Sequence, residues 1–298
     1  MRKNKSTTNY TNYINYIKYI FIPLLFFVLY VIFFCIMLSK DYVNHNKIYD
    51  LEKDGCCIIK NVFTKDFLQK TKIKCEENNY QEVKNDLIHN SNLNNIIHKT
   101  VGNDYQLQDY IWIIKKSSVH TCHRDNNGDF FNDGQQFPSY TMLIYLEDMD
   151  KCLGVIPTSH KNLNSYNVNL TDKVENLLCS KGDIIIFNAN LIHVGTINDK
   201  NDNLRIQMKI THKNDIKVIS YYENFNKVLN TENTLPKGLI RFQKNMSCMF
   251  PYISNLTQSE NINSSRGSDN GAKIGIFQKL FSYIFYGNSN FYDLPNAF

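Results

Sequence analysis

From Tyr19 to Leu38 the chain runs for twenty positions without a charge (YIFIPLLFFVLYVIFFCIML). As a helix rising about 1.5 Å per residue, this run spans about 30 Å, the thickness of a bilayer's hydrocarbon core. Pro23 stands near its start, where a missing amide is tolerated. A cleaved signal would carry a shorter apolar stretch, roughly 7–15 residues, and small residues at the cut. Met37-Leu38-Ser39-Lys40 is a poor site of that kind. The pattern therefore predicts one retained transmembrane helix over 19–38, preceded by a short basic tail, 1–18.

Beyond a short linker at 41–46, the periodicity changes. Residues 48–55 read as a short helix stopped by Gly55, and Cys56 to Ile59 as a strand. Thr64 is placed to cap a helix through about Asn78, with Phe67, Thr71 and Cys75 on one face. Residues 79–103 read as polar and irregular, with room for another short helix. From Tyr105 onward come short β-like runs: 105–115, 119–123, 139–146, 153–156, 183–188, 191–196 and 204–211. Turn-rich stretches such as Asn126-Asn127-Gly128-Asp129 and Asn132-Asp133-Gly134 separate them. Helices followed by many short strands predict a mainly β domain with helical cover, of the α+β class. After about residue 215 the signal weakens. Residues 254–272 are low in complexity and read as disordered, ahead of an apolar patch at 275–287 too short to span a membrane.

Composition narrows the classes. Hydrophobic residues make up 43% and charged residues 20%, enough apolar content for a packed core. The net charge of +5 is small and spread out, which argues against a nucleic-acid partner. Eight cysteines in 298 residues are too sparse for a disulfide scaffold, and no CxxC pair marks a structural zinc site. Arg2, Lys3, Lys5 and Lys18 precede the apolar run; Lys40, Lys47 and Lys53 follow it among acids. That asymmetry predicts a cytoplasmic N-terminus and a lumenal or extracellular body. Past the apolar run, Asn-x-Ser/Thr sequons at Asn169, Asn245, Asn255 and Asn263 lean the same way, though an Asn-rich chain produces some by chance.

The chemistry gathers around His123-Arg124-Asp125. On a strand, positions i and i+2 point to one side, so His123 and Asp125 can share a metal. The third ligand must come from elsewhere, and His193, beyond the Gly182-Asp183 turn and the Ile184–Phe187 run, is the best candidate. Two histidines and one carboxylate form the facial triad of non-haem Fe(II) oxygenases. Arg205, twelve residues later, offers a guanidinium fork suited to a carboxylate. His160 reads as structural, and His212 as a surface residue. Trp112, Tyr110 and Tyr140 read as core, with pocket lining as the other use.

In order along the chain, these features resemble the phytanoyl-CoA dioxygenase family of Fe(II)/2-oxoglutarate oxygenases. The likeness covers about 47–213. It opens on DLEKDGCCIIKNVFTKDFLQK, continues through HRD and YLEDMDKCLGVIPTSHK, and closes on KGDIIIF, His193 and Arg205. The resemblance implies a double-stranded β-helix (jelly-roll, cupin-like) core. It implies Fe(II) held by His123, Asp125 and His193, and 2-oxoglutarate held by Arg205 with Gln207 beside it, with ascorbate as an optional reductant. The reaction implied is decarboxylation of 2-oxoglutarate coupled to hydroxylation of a C–H bond. The substrate, whether small molecule, lipid or protein, is left open. The chain departs from the family at Asp150-Lys151-Cys152, at Thr158 in the IPTSHK turn, and at Gln207, where relatives often carry Ser. Those departures motivate the rival expectation of a catalytically inactive, membrane-tethered binding module on the same fold. The resulting division is tail, anchor, dioxygenase domain (47–213) and a C-terminal extension (214–298).

Overall fold

A computed structural model describes residues 18–30, 32–33, 42–115, 124–125, 134–149, 151–161, 174–196, 204–218, 236 and 238. The chain's contacts fall into two compact units, residues 1–40 and 41–298. In the first, residues 18–30 and 32–33 are helical. Among the described residues no helix is long and apolar enough to cross a membrane. Part of the apolar run, at 31 and 34–38, lies outside the described residues.

The larger unit opens with α1 (Leu51–Asp54). Asp50 caps it by accepting from the Lys53 amide, and Gly55 ends it in the left-handed conformation, φ 84°. Strand β1 (Cys56–Ile59) follows, then α2 (Lys65–Glu76), capped by Thr64 through the Phe67 amide at 3.2 Å. Residues 79–103 are more ordered than their polarity predicts. They form α3 (Tyr80–Ile88) and α4 (Ser91–Val101). Val83 and Leu87, then Leu93 and Ile97, each four apart, give the two helices narrow buried stripes among many asparagines. Asn90 caps α4 by accepting from the Leu93 amide.

The strands are β2 (Tyr105–Leu107), β3 (Trp112–Ile114), β4 (Tyr140–Tyr145), β5 (Leu153–Val155), β6 (Glu175–Leu177), β7 (Ile184–Asn188), β8 (His193–Gly195) and β9 (Arg205–His212). The run 105–115 is thus two strands, broken where the Tyr110 amide turns back to the Gln108 carbonyl. The expected strand at 119–123 lies outside the described residues, and β6 is a strand the pattern did not reveal. One sheet runs β1-β7-β4-β9-β2, with β3 also on β9; the other runs β6-β5-β8. Every strand pairing within both sheets is antiparallel. The described body is therefore mixed α+β, with strands in the majority and helices as cover.

Alternation along each strand sorts the residues into two layers. Ile206, Met208 and Ile210 of β9, Met142 and Ile144 of β4, and Ile184 and Ile186 of β7 pack against the α3 and α4 stripes. On the opposite face, Leu143, Tyr145, Ile185 and Phe187 pack on Leu153, Val155 and Leu177 of the small sheet. The large sheet is buried on both sides, which is why β7 reads as an unbroken apolar run.

Candidate metal centre

The inner face of β9 breaks the apolar rule. Arg205, Gln207, Lys209 and Thr211 share it, alternating with the isoleucines and methionine of the outer face. Arg205, Lys209 and Thr211 are buried and Gln207 is half-buried. Such polar side chains are found inside a sandwich only where they meet partners of their own kind.

Asp125 is one of those partners. A tight turn after β7 positions it: the Asn190 amide donates to Asn188 Oδ1 and the Leu191 amide to the Asn188 carbonyl, at 2.9 and 2.8 Å. Two carbonyls of that turn accept from the 124–125 segment. The Asp125 amide reaches Ala189 and the Arg124 guanidinium reaches Asn190, both at 2.8 Å. Two residues on, β8 begins at His193. The segment bearing Asp125 and the strand bearing His193 are thereby tied through one turn.

His193 is 5% exposed. Its Nδ1 lies 2.9 Å from the Leu191 carbonyl, an acceptor only, so Nδ1 donates and Nε2 is the nitrogen left to meet a metal. Nε2 lies 3.6 Å from Asp125 Oδ1. Two ligand atoms each about 2.0–2.2 Å from one ion stand about this far apart at an open angle. The Phe187 ring packs at 4.6 Å against the imidazole and fixes its plane.

The other carboxylate oxygen is committed. Asp125 Oδ2 accepts from the Thr141 hydroxyl and from the Lys209 ammonium. Lys209 also donates to Thr141 Oγ1 at 2.7 Å and stands 5.1 Å from the centre of the Trp112 ring. Burial pulls the Lys209 ammonium below the usual lysine range, and the Asp125 charge offsets part of that. Asp125 is thus oriented by one oxygen while the other faces His193.

Arg205 lies at the other end of the same inner face, opposite Tyr145 in the β4 register and Ile114 in the β3 register. Gln207 lies between Arg205 and Lys209, opposite Leu143 and Trp112. Tyr145 is fully buried and donates to the Cys152 carbonyl at 2.5 Å. His123 lies outside the described residues. Among the described residues no group of three or more His, Cys, Asp or Glu side chains gathers to hold a metal. The structure brings Asp125 and His193 together and puts Arg205 and Gln207 on the strand that carries Lys209.

The residue the sequence reading missed is Lys209. Its signal was available: in Arg205-Ile206-Gln207-Met208-Lys209-Ile210-Thr211, every second residue is polar, so whatever face Arg205 uses, Lys209 uses too. His212, expected at the surface, is 6% exposed; its ring stacks on Phe137 at 3.7 Å and meets Tyr105 edge-on. His160 is held structurally, with Nε2 3.1 Å from the Glu52 carbonyl.

Residues 68–205 match the family model of phytanoyl-CoA dioxygenase (PhyH). No curated relative matches the chain. Among solved structures, HygX from Streptomyces hygroscopicus with nickel and 2-oxoglutarate bound is similar at 17% identity, covering 54% of this chain and 84% of that one, with a TM-score of 0.43. The epimerase SnoN in complex with Fe3+, alpha ketoglutarate and nogalamycin RO is similar at 13% identity, covering 54% and 80%, with a TM-score of 0.46. The carbocyclase SnoK from nogalamycin biosynthesis is similar at 13% identity, covering 57% and 84%, with a TM-score of 0.44.

Proposed function

We propose that this chain, whose residues 68–205 carry the phytanoyl-CoA dioxygenase signature, is a membrane-anchored Fe(II)- and 2-oxoglutarate-dependent dioxygenase that hydroxylates a C–H bond of its substrate. The observation that carries the reading is His193, held through Nδ1 by the Leu191 carbonyl so that Nε2 faces Asp125 Oδ1 at 3.6 Å. The donors suit ferrous iron: a neutral imidazole and a carboxylate, with His123 as the third ligand. Iron and 2-oxoglutarate, when bound, supply the oxidative decarboxylation that drives oxidation of the substrate.

The chain's own residues do the rest. Leu191 orients the His193 ring, and Thr141 and Lys209 hold Asp125 by Oδ2 with Oδ1 turned toward His193. Arg205 is the residue to pair with the distal carboxylate of 2-oxoglutarate, and Gln207 lines the path between it and the metal ligands. Phe187, Leu143 and Trp112 keep water from the space around them. The apolar run 19–38 is the anchor, with the N-terminus in the cytoplasm and the body in a lumen or outside the cell.

Lys209 supports a second reading. An ammonium already paired with Asp125 can stand in for the metal charge, as expected of an inactive, membrane-tethered binding module. One titration separates the two. Anaerobic addition of Fe(II) and then 2-oxoglutarate to the full chain should raise the visible charge-transfer band of the chelate, and air should then yield succinate. Arg205→Ala should weaken 2-oxoglutarate binding by at least about 10-fold through loss of a charge-assisted pair. No band and no succinate would leave the binding module in possession.

A further inference from the structure

Two cysteines touch in the small sheet. Cys152 directly precedes β5 and Cys179 lies two residues past the end of β6. These strands pair antiparallel, with Leu153 opposite Leu177, so both cysteines sit at the same end of the ladder. The Cys152 amide donates to the Leu177 carbonyl at 2.9 Å, extending the ladder to their level. The two Sγ atoms are 2.8 Å apart, closer than the roughly 3.5–4.0 Å at which even carbon atoms rest without a bond. Both side chains are buried, at 4% and 8% exposure, among Tyr145, Leu177 and Leu153.

We propose that Cys152 and Cys179 form a disulfide that staples the β5–β6 pair. The step is thiol–disulfide exchange with a small-molecule disulfide such as glutathione disulfide. One cysteine thiolate attacks it and displaces one glutathione thiol, leaving a mixed disulfide. The second cysteine then attacks the mixed disulfide and displaces the other. Two protein thiols are oxidised, one glutathione disulfide is reduced to two glutathione thiols, and the two cysteine protons pass to those products. The bond belongs to an oxidising compartment, the side of the membrane on which the charge asymmetry places the body. It is independent of the oxygenase reading, because no metal or co-substrate enters it.

The staple also bears on the inner face of the large sheet. The Cys152 carbonyl accepts from Tyr145, and Thr196, directly after β8, donates to the adjoining Lys151 carbonyl at 2.9 Å. Fixing Cys152 therefore fixes the contact beneath Tyr145, which faces Arg205 in the β4–β9 register.

Trypsin makes the test direct. It releases Cys152–Lys161 (CLGVIPTSHK) and Val174–Lys181 (VENLLCSK) as separate peptides, joined only if this bond exists. The full chain is expressed through a secretory pathway, denatured in N-ethylmaleimide without reductant, digested and weighed. The expected result is one linked species that a reductant splits into the two peptides. Both peptides carrying N-ethylmaleimide, or either linked to another cysteine, overturns the proposal. A second measurement follows the fold. Reductant should lower the melting midpoint of the wild type by roughly 5–10 °C and leave that of the Cys152→Ala/Cys179→Ala double variant unmoved. A wild-type midpoint that reductant leaves in place overturns the stapling role.

Discussion

The site turns on the pairing of two residues, Asp125 and Lys209. Both are buried, and each is the other's charge partner. Removing one leaves the other's charge stranded, which typically costs about 3–5 kcal/mol, whereas removing both costs far less than the sum. Asp125→Ala and Lys209→Met should each lower the unfolding free energy of the metal-free protein, and the double variant should recover at least about 1.5 kcal/mol of the combined loss. Urea unfolding in the presence of a chelator measures this, and strictly additive losses would contradict the pairing. That Asp125 and His193 lie together was legible in the sequence from spacing and chain order. Lys209 was missed although the alternation of its strand puts it on the face of Arg205, because neither chain order nor a motif marks a lysine in a lysine-rich chain.

At the scale of elements, α1 and the segment it meets illustrate how tightly local structure is set. Gly55 has φ 84°, and a Cβ there would stand 2.4 Å from His160 Nδ1 and 2.8 Å from Leu191 Cδ1. Gly55→Ala should therefore cost more than the usual 1 kcal/mol for a left-handed non-glycine, about 2–4 kcal/mol in all, read as a lower midpoint in thermal melting. His160 itself carries a pH dependence. Burial holds its pKa below the ordinary histidine value, against the raising contact with the Glu52 carbonyl and with the neighbouring Lys161 charge adding to the lowering. The folded protein thus resists protonating a ring that the unfolded chain protonates below about 6.5. The stability due to the neutral ring is present above that pH and is lost as pH falls toward the folded value. Wild-type stability should decline from about pH 6.5 downward more steeply than that of His160→Gln, and parallel curves would exclude this origin. The helix over 65–76 was legible because Thr64 and the Phe67, Thr71, Cys75 spacing announce it. Helices α3 and α4 were obscured because their stripes are only two residues wide and asparagine fills the rest. Strand β6 is three residues long, below the length at which alternation can be read.

For the whole molecule, the two units predict separable behaviour. The full chain should stay with membranes through alkaline carbonate extraction, and removal of residues 1–40 should release it with the body's cooperative unfolding retained. Release of the intact chain by carbonate would refute the anchor. With the body in a secretory lumen, protease should spare it in sealed microsomes and a glycosidase should shift its mobility; digestion of the body would reverse the orientation. The backbone at Asp125 and the guanidinium of Arg124 are stitched to the turn just ahead of His193. Two stretches distant in sequence are thereby held as one unit. A change in the turn 188–191 therefore reaches the carboxylate and the imidazole together.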